Sequence, residues 1–174
     1  MNVLQIIIIR GASGVGKTTL LRALKSLGSE TFCIDIDEIR SMFSSMDWDS
    51  GYKYYIDSQK ITKAMIKEIK RLGYKKVIVA DAFPYKLLRS FLAGLPSRGH
   101  IINLFCENDE LESRLKTRGR DIIRIKNIMS FNESIKKHDL DNMSIPNCDI
   151  LYIDNTNKDS NELANCIIQC LREI

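Results

Sequence analysis

The sequence predicts one α/β domain in three layers: a five-stranded parallel sheet with helices on both faces. Three observations predict it. Residues 3–9, 77–80, 101–105 and 150–153 are apolar apart from Gln5 and Asn103 and do not alternate, as expected of strands covered on both faces. Segments with helical spacing separate them, the order expected of a parallel sheet. The 174 residues suit one domain with one substantial core, and no internal repeat or linker divides them.

The first strand, residues 3–9, contains the run Ile6-Ile7-Ile8-Ile9. It leads into Gly11-Ala12-Ser13-Gly14-Val15-Gly16-Lys17-Thr18, after which Leu20, Leu21, Leu24 and Leu27 recur at helical spacing. Glycines at 11 and 16 let the backbone turn its N–H groups around a phosphate, which side chains would obstruct. The following helix directs its N-terminus at the same anion. Lys17 is placed to reach β- and γ-phosphates and the Thr18 hydroxyl to ligate Mg²⁺, so the segment is read as the site of a nucleoside triphosphate.

Residues 31–36 form a second strand that ends in an acidic cluster. Tyr55, Thr62, Met65, Ile69 and Leu72 mark one face of a long helix stopped by Gly73. The third strand, 77–80, ends at Asp81. The fourth and fifth follow at 101–105 and 150–153, and a final helix from about residue 161 turns Leu163, Ile167 and Leu171 inward. Ligands of such sheets gather beyond the carboxyl ends of the strands. The phosphate loop, Asp35 with Asp37, and Asp81 all fall there.

In an extended segment Asp35 and Asp37 point the same way. One can orient the water shell of a metal while the other takes the proton of an attacking hydroxyl, and which of the two is the base stays open. Arg40, one helical turn past Asp37, can grip an anionic group on the acceptor. An acidic N-cap and first turn would also account for Asp37 and Glu38. Asp81 can act on Mg²⁺ through water, or cap a turn before Phe83-Pro84.

Arg114, Lys116, Arg118, Arg120 and Arg124 form the one basic cluster. Phosphoryl transfer spreads negative charge over oxygens, and cations closing over it stabilise that charge. Arg118 and Arg120 are candidates, with Gly119 as the hinge of a short lid over about residues 116–126; a solvated charged face is the alternative. The segment Asp154-Asn155-Thr156-Asn157 can contact the base or ribose, or only cap the last helix. Trp48, among acidic residues and serines, is a candidate for the acceptor site within an insertion spanning about residues 41–72.

Composition excludes little but bounds the rest. No apolar stretch is long enough to span a bilayer, and Met1-Asn2 leads directly into the first strand, so a cytoplasmic protein without membrane partner is expected. Cys33, Cys106, Cys148, Cys166 and Cys170 contain no C-x-x-C pair and read as reduced packing residues. The net charge of +4 is spread along helices, and no aromatic-plus-basic platform for nucleic acid is seen. A monomer or homodimer is expected.

Together these segments resemble the small P-loop kinases of nucleosides, nucleotides and metabolites. The resemblance rests on residues 11–19, ending in Thr19, on Asp35-x-Asp37-x-x-Arg40, on the stretch from Val79 to Pro84, and on Arg114 through Asp121. It implies the P-loop NTPase fold with sheet order 2-3-1-4-5, and ATP and Mg²⁺ as cofactors. It implies that Asp37 activates an acceptor hydroxyl, that Arg114 lies against adenine, and that Arg118 and Arg120 clamp phosphates. Asp35-x-Asp37-x-x-Arg40 is similar to shikimate-kinase-like and polynucleotide-kinase-like members. The stretch Asp81-Ala82-Phe83-Pro84 is similar to adenylate kinases, but Tyr85 stands where an arginine would bind a monophosphate. The implied activity is phosphoryl transfer from ATP to a small hydroxyl-bearing acceptor. Alternatives are a P-loop ATPase or nucleotide switch, and a kinase of nucleoside monophosphates or polynucleotide 5'-hydroxyls.

Overall fold

The computed structural model describes residues 4–25, 31–43, 52–93, 95, 99–141, 145 and 148–172. Strands and helices alternate along the chain: β1 (Gln5–Gly11), α1 (Lys17–Leu24), β2 (Thr31–Asp35), α2 (Ile36–Ser41), α3 (Tyr52–Arg71), β3 (Lys76–Asp81), α4 (Tyr85–Leu92), β4 (Gly99–Phe105), α5 (Asn108–Thr117), α6 (Ile122–Lys136), β5 (Cys148–Asp154) and α7 (Ser160–Arg172). The sheet is parallel in the order β2-β3-β1-β4-β5, as expected.

The central strand shows why four isoleucines run in succession, Ile6 to Ile9. Ile7 and Ile9 join one core with Leu20, Leu24, Leu111, Leu115 and Ile167 from the helices on that side. Ile6 and Ile8 join the opposite core with Ile39, Ile66, Ile69, Leu88 and Phe91. Successive side chains point to opposite faces, so both registers must be apolar when both faces are covered. A fully buried isoleucine contributes about 2 kcal/mol relative to exposure, which places much of the stability in this strand.

One boundary differs from that expected. The second strand stops at Asp35, not residue 36, because the Asp35 side chain accepts a hydrogen bond from the Asp37 N–H at 3.0 Å and starts α2. Asp35 and Asp37 therefore do not share one face of an extended segment. Asp35 is buried and Asp37 is exposed on the first turn of a helix. Within residues 116–126, α5 ends at Thr117 and α6 begins at Ile122; the four-residue connection 118–121 between them contains Gly119 with the left-handed φ of 67°.

The carboxyl edge of the sheet carries a buried polar row. Arg10 pairs in register with Asp81 of β3 and Asn103 of β4, and all three lie on the face of Ile6 and Ile8. Arg10 is fully buried. Its Nε donates to the Phe83 carbonyl at 2.8 Å, its Nη1 to Asn103 Oδ1 at 2.9 Å, and its Nη1 and Nη2 to the two oxygens of Asp139 at 2.9 and 2.7 Å. The Phe131 ring lies 5.0 Å from the guanidinium carbon. Phe83 has the left-handed φ of 48°, uncommon for an aromatic residue, and the bond from Arg10 helps to hold it there. Arg10 thus joins the end of β1, the turn after β3 and the turn after α6.

Removing the counter-ion tests this join. Asp139→Ala leaves a buried guanidinium unpaired and is expected to lower stability by about 3 kcal/mol in urea denaturation. Replacing both partners with apolar residues (Arg10→Met with Asp139→Leu) should cost less than Asp139→Ala alone; a double variant less stable than the single would contradict it.

Candidate active site

The phosphate loop is shaped by close contacts at two glycines. A Cβ on Gly11 would sit 2.6 Å from the Leu104 carbonyl oxygen and 2.7 Å from Val15 Cγ2, so no side chain fits between β1 and β4. Gly16, the N-cap of α1, has φ 101°, and a Cβ there would meet Asn155 Nδ2 at 2.6 Å. The turn from Ala12 through Ser13, Gly14 and Val15 brings the chain to Lys17, where α1 begins and the positive end of its dipole faces the loop.

Lys17 is buried, and its Nζ donates to the Ala12 carbonyl at 2.9 Å. Burial pushes its pKa below the ordinary lysine value, and the carboxylates of Asp37, Asp81 and Asp35 oppose that shift. An ammonium held over its own loop and short of water suits an arriving phosphate. Thr18 donates from Oγ1 to Asp35 Oδ2 at 2.7 Å, while Asp35 Oδ1 caps α2. The hydroxyl and the carboxylate put two hard oxygen donors side by side beneath the loop, the donor chemistry Mg²⁺ prefers. These residues fit that ion.

Arg40 and Asp81 lie together in one buried cluster. Arg40 is buried, with 3% of its surface exposed, and does not reach toward solvent. Its Nε and Nη2 donate to Asp37 Oδ1 at 3.1 and 2.6 Å; Nη2 and Nη1 also donate to Asp81. The Tyr55 ring stacks 4.1 Å from the guanidinium carbon, and the Tyr55 hydroxyl donates to Asp81 Oδ1 at 3.2 Å. Asp81 is fully buried, and its Oδ1 also accepts from the Ala82 N–H at 2.7 Å. Burial pushes Asp81 up from the usual carboxylate range, while Arg40 and the Ala82 N–H pull it down. Burial and the charge of Asp81 likewise raise Tyr55, which stays a neutral donor. Arg40 is therefore the counter-ion of Asp81 and an orienting partner of Asp37. Among the described residues no group of three His, Cys, Asp or Glu side chains is arranged to hold a metal.

Beside the loop lies an open cleft of about 340 Å³ lined by Gly14, Gly16, Thr19, Arg114, Arg118 and Asn155, with Leu20 and Leu163 supplying apolar surface. Arg114 is anchored by Glu110 at 2.7 Å and makes longer contacts, 3.5 Å each, with the carbonyls of Gly14 and Asn155. Asn155 is buried and ties β5 to the loop: its Nδ2 donates to the Val15 carbonyl at 2.8 Å and its N–H to the Phe105 carbonyl at 2.7 Å. Arg118 reaches the cleft; Arg120 is exposed on the α5–α6 connection and is not among its lining residues. Trp48 lies outside the described residues.

Sequence reasoning missed Arg10, Asp139 and Asn103, and read Tyr55 only as packing. A charged residue closing an apolar strand was the available signal for Arg10. Gln59 was missed as well. It lies one turn after Tyr55 on the same face of α3, buried, with no partner for its Nε2.

A direct check on the Arg40 cluster is Tyr55→Phe. It removes one bond to buried Asp81 and is expected to cost about 1 kcal/mol in urea denaturation. Arg40→Met, which leaves Asp81 without its counter-ion, should cost at least twice as much. Equal costs would show that Arg40 is not the principal partner.

The chain matches the family model described as AAA domain over residues 7–141. No curated protein matches it in sequence. Solved structures do match in fold. Thymidylate kinase from Candida albicans superposes with a TM-score of 0.69 at 16% identity, covering 98% of this chain and 92% of that one. Shikimate kinase from Acinetobacter baumannii, solved in complex with shikimate, gives 0.65 at 15% identity, over 98% and 94%. A gluconokinase from Sinorhizobium meliloti gives 0.64 at 15% identity, over 99% and 94%. The sheet order and the loop after β1 agree with this likeness, and the chain belongs to the AAA domain family, with the fold of the small P-loop kinases.

Proposed function

We propose that the protein transfers the γ-phosphoryl group of ATP, with Mg²⁺, to a hydroxyl of a small acceptor. The observation that carries this reading is the junction of loop and α2: Thr18 is bonded to Asp35, and Lys17 lies within electrostatic reach of Asp35, Asp37 and Asp81. Phosphoryl transfer needs positioning and charge stabilisation more than covalent chemistry, and these groups supply both. Thr18 and Asp35 would hold Mg²⁺, directly or through water, and the ion when bound supplies charge to the phosphate oxygens.

Asp37 is the proposed base. Its side chain is 61% exposed, and Arg40 holds one of its oxygens, which orients the carboxylate toward the open side. The acceptor oxygen bonds to the γ-phosphorus, its proton passes to Asp37, and the bond from that phosphorus to the bridging oxygen breaks, releasing ADP. Lys17, Arg118 and Arg120 stabilise the charge that develops on the phosphoryl oxygens. Arg114 and Asn155 hold the nucleoside. Because the Arg40 donors are occupied by Asp37 and Asp81, a neutral or singly charged acceptor is favoured over a nucleoside monophosphate. Among the described residues no helix is long and apolar enough to cross a membrane, and the reading places the protein in the cytoplasm, where ATP and Mg²⁺ are plentiful.

The AAA domain match favours one second reading, ATP hydrolysis coupled to a protein partner rather than to a small acceptor. An acceptor screen separates the two. The chain is incubated with ATP and Mg²⁺ against nucleosides, sugars, hydroxy acids, nucleoside monophosphates and 5'-hydroxyl oligonucleotides, and products are detected by phosphorus NMR. A phosphorylated neutral or singly charged small molecule is expected. Phosphate release alone, stimulated by a protein, would overturn the kinase reading; a monophosphate as best substrate would overturn the acceptor preference.

With that acceptor, Lys17→Ala should lower kcat by roughly a hundredfold or more. Asp37→Asn should lower kcat by about 100-fold while the ATP KM stays nearly constant, because a base acts on the acceptor. Parallel loss of ATP affinity would make Asp37 a nucleotide-site residue instead.

A further inference from the structure

Arg40 divides its donors between two carboxylates in unlike surroundings. Its Nη2 donates to Asp37 Oδ1 at 2.6 Å and also to Asp81 Oδ1, and its Nε donates to Asp37 Oδ1 at 3.1 Å. The second donor on the Asp81 side, Nη1, stays 3.4 Å from Oδ2, longer than an ordinary N–H···O bond. A two-bond fork between Arg40 and Asp81 is begun but not closed.

Charge alone would close it. Asp81 is fully buried, whereas the Asp37 side chain is 61% exposed and water competes for it. A guanidinium answering only to these two would settle on Asp81 and release Asp37. Tyr55, from α3, opposes this in two ways. Its hydroxyl donates to Asp81 Oδ1 at 3.2 Å, beside the Ala82 N–H at 2.7 Å, so neutral donors supply part of what Asp81 would otherwise draw from Arg40. Its ring lies 4.1 Å from the guanidinium carbon and restrains the tilt by which the fork would close.

We propose that Tyr55 is a positioning residue for phosphoryl transfer: by donating to Asp81 and stacking on Arg40 it keeps the guanidinium on Asp37 and holds that carboxylate toward the acceptor. This rests on the reading of Asp37 as the base. Tyr55 acts through Arg40 and takes no part in bond making or breaking. One consequence separates this role from packing. Without the hydroxyl, Arg40 shifts toward Asp81 and Asp37 loses its hold; when the charge of Asp81 is removed as well, nothing competes for the guanidinium and the hold returns. A tyrosine that only packed the cluster would behave oppositely, since each further loss would loosen it more.

Two readouts on the intact chain test this in the wild type, in Tyr55→Phe, and in Tyr55→Phe combined with Asp81→Asn; both substitutions conserve shape. The first is the proton–nitrogen NMR signal of the Arg40 Nε–H, identified by its absence in Arg40→Lys, whose hydrogen exchange reports the bond to Asp37. Tyr55→Phe should speed that exchange about tenfold, and adding Asp81→Asn should slow it again. The second is phosphoryl transfer from ATP, with Mg²⁺, to the nucleosides, sugars and hydroxy acids of the acceptor screen. Tyr55→Phe should lower kcat about tenfold with the ATP KM unchanged, and adding Asp81→Asn should restore most of the loss. Exchange or kcat unchanged in Tyr55→Phe, or a double variant worse than the single, would overturn the positioning role while leaving Asp37 as the base. An unchanged kcat in Asp37→Asn, or no product from any of these compounds, would overturn the base, and the inference with it.

Discussion

A parallel sheet covered on both faces must pass from apolar to polar within one residue at its carboxyl edge, and the site depends on how this chain makes that passage. On the face of Ile6 and Ile8 the three central strands carry Asp81, Arg10 and Asn103 at or near their carboxyl ends, all fully buried. Charges in such a place must be paired or they destabilise the fold by several kcal/mol. The pairing recruits side chains from outside the sheet: Arg40 from α2 and Tyr55 from α3 to Asp81, and Asp139 from beyond α6 to Arg10. Requirements of the core thereby fix the positions of groups above it.

On the opposite face the same edge carries the glycine loop. Gly11 brings β1 against the Leu104 carbonyl, Gly16 brings the loop against Asn155, and α1 starts at Lys17. Asp35 has two duties that reinforce each other. One oxygen caps α2 and the other accepts from Thr18, so the helix that carries Asp37 and Arg40 is tied directly to the loop. Arg40 completes the link by holding Asp37 from below while neutralising Asp81. The exposed carboxylate is thus preorganised by a buried ion pair, an arrangement suited to catalysis because little reorganisation accompanies the chemistry.

The parts legible in sequence are those whose signal is local. The phosphate loop is a contiguous run with fixed spacing and the sheet is visible in its apolar runs, while the strand order was implied by the resemblance that these segments carry. Arg40 was visible as a candidate but its role was not, because its partner Asp81 lies 41 residues away. The partners of Arg10 lie 93 and 129 residues away, and no periodicity reports such a contact. Asp35 and Asp37 illustrate a different difficulty. The alternation rule holds inside a strand, and it failed here because the capping bond of Asp35 ends the strand at that residue. Arg118 and Arg120 sit on a connection too short for packing to set their direction, so their proximity in sequence did not place both in the cleft.

The central claim is that loop, α2 and the cleft form one site for a magnesium-bound triphosphate. Calorimetric titration of the intact chain with ATP, with and without Mg²⁺, tests it most directly when repeated on Asp35→Asn. The account predicts one nucleotide bound per chain, tighter with Mg²⁺ than without, and a magnesium-dependent gain that is largely lost in Asp35→Asn while metal-free binding persists. Absence of binding, or an undiminished magnesium effect in the variant, would contradict it.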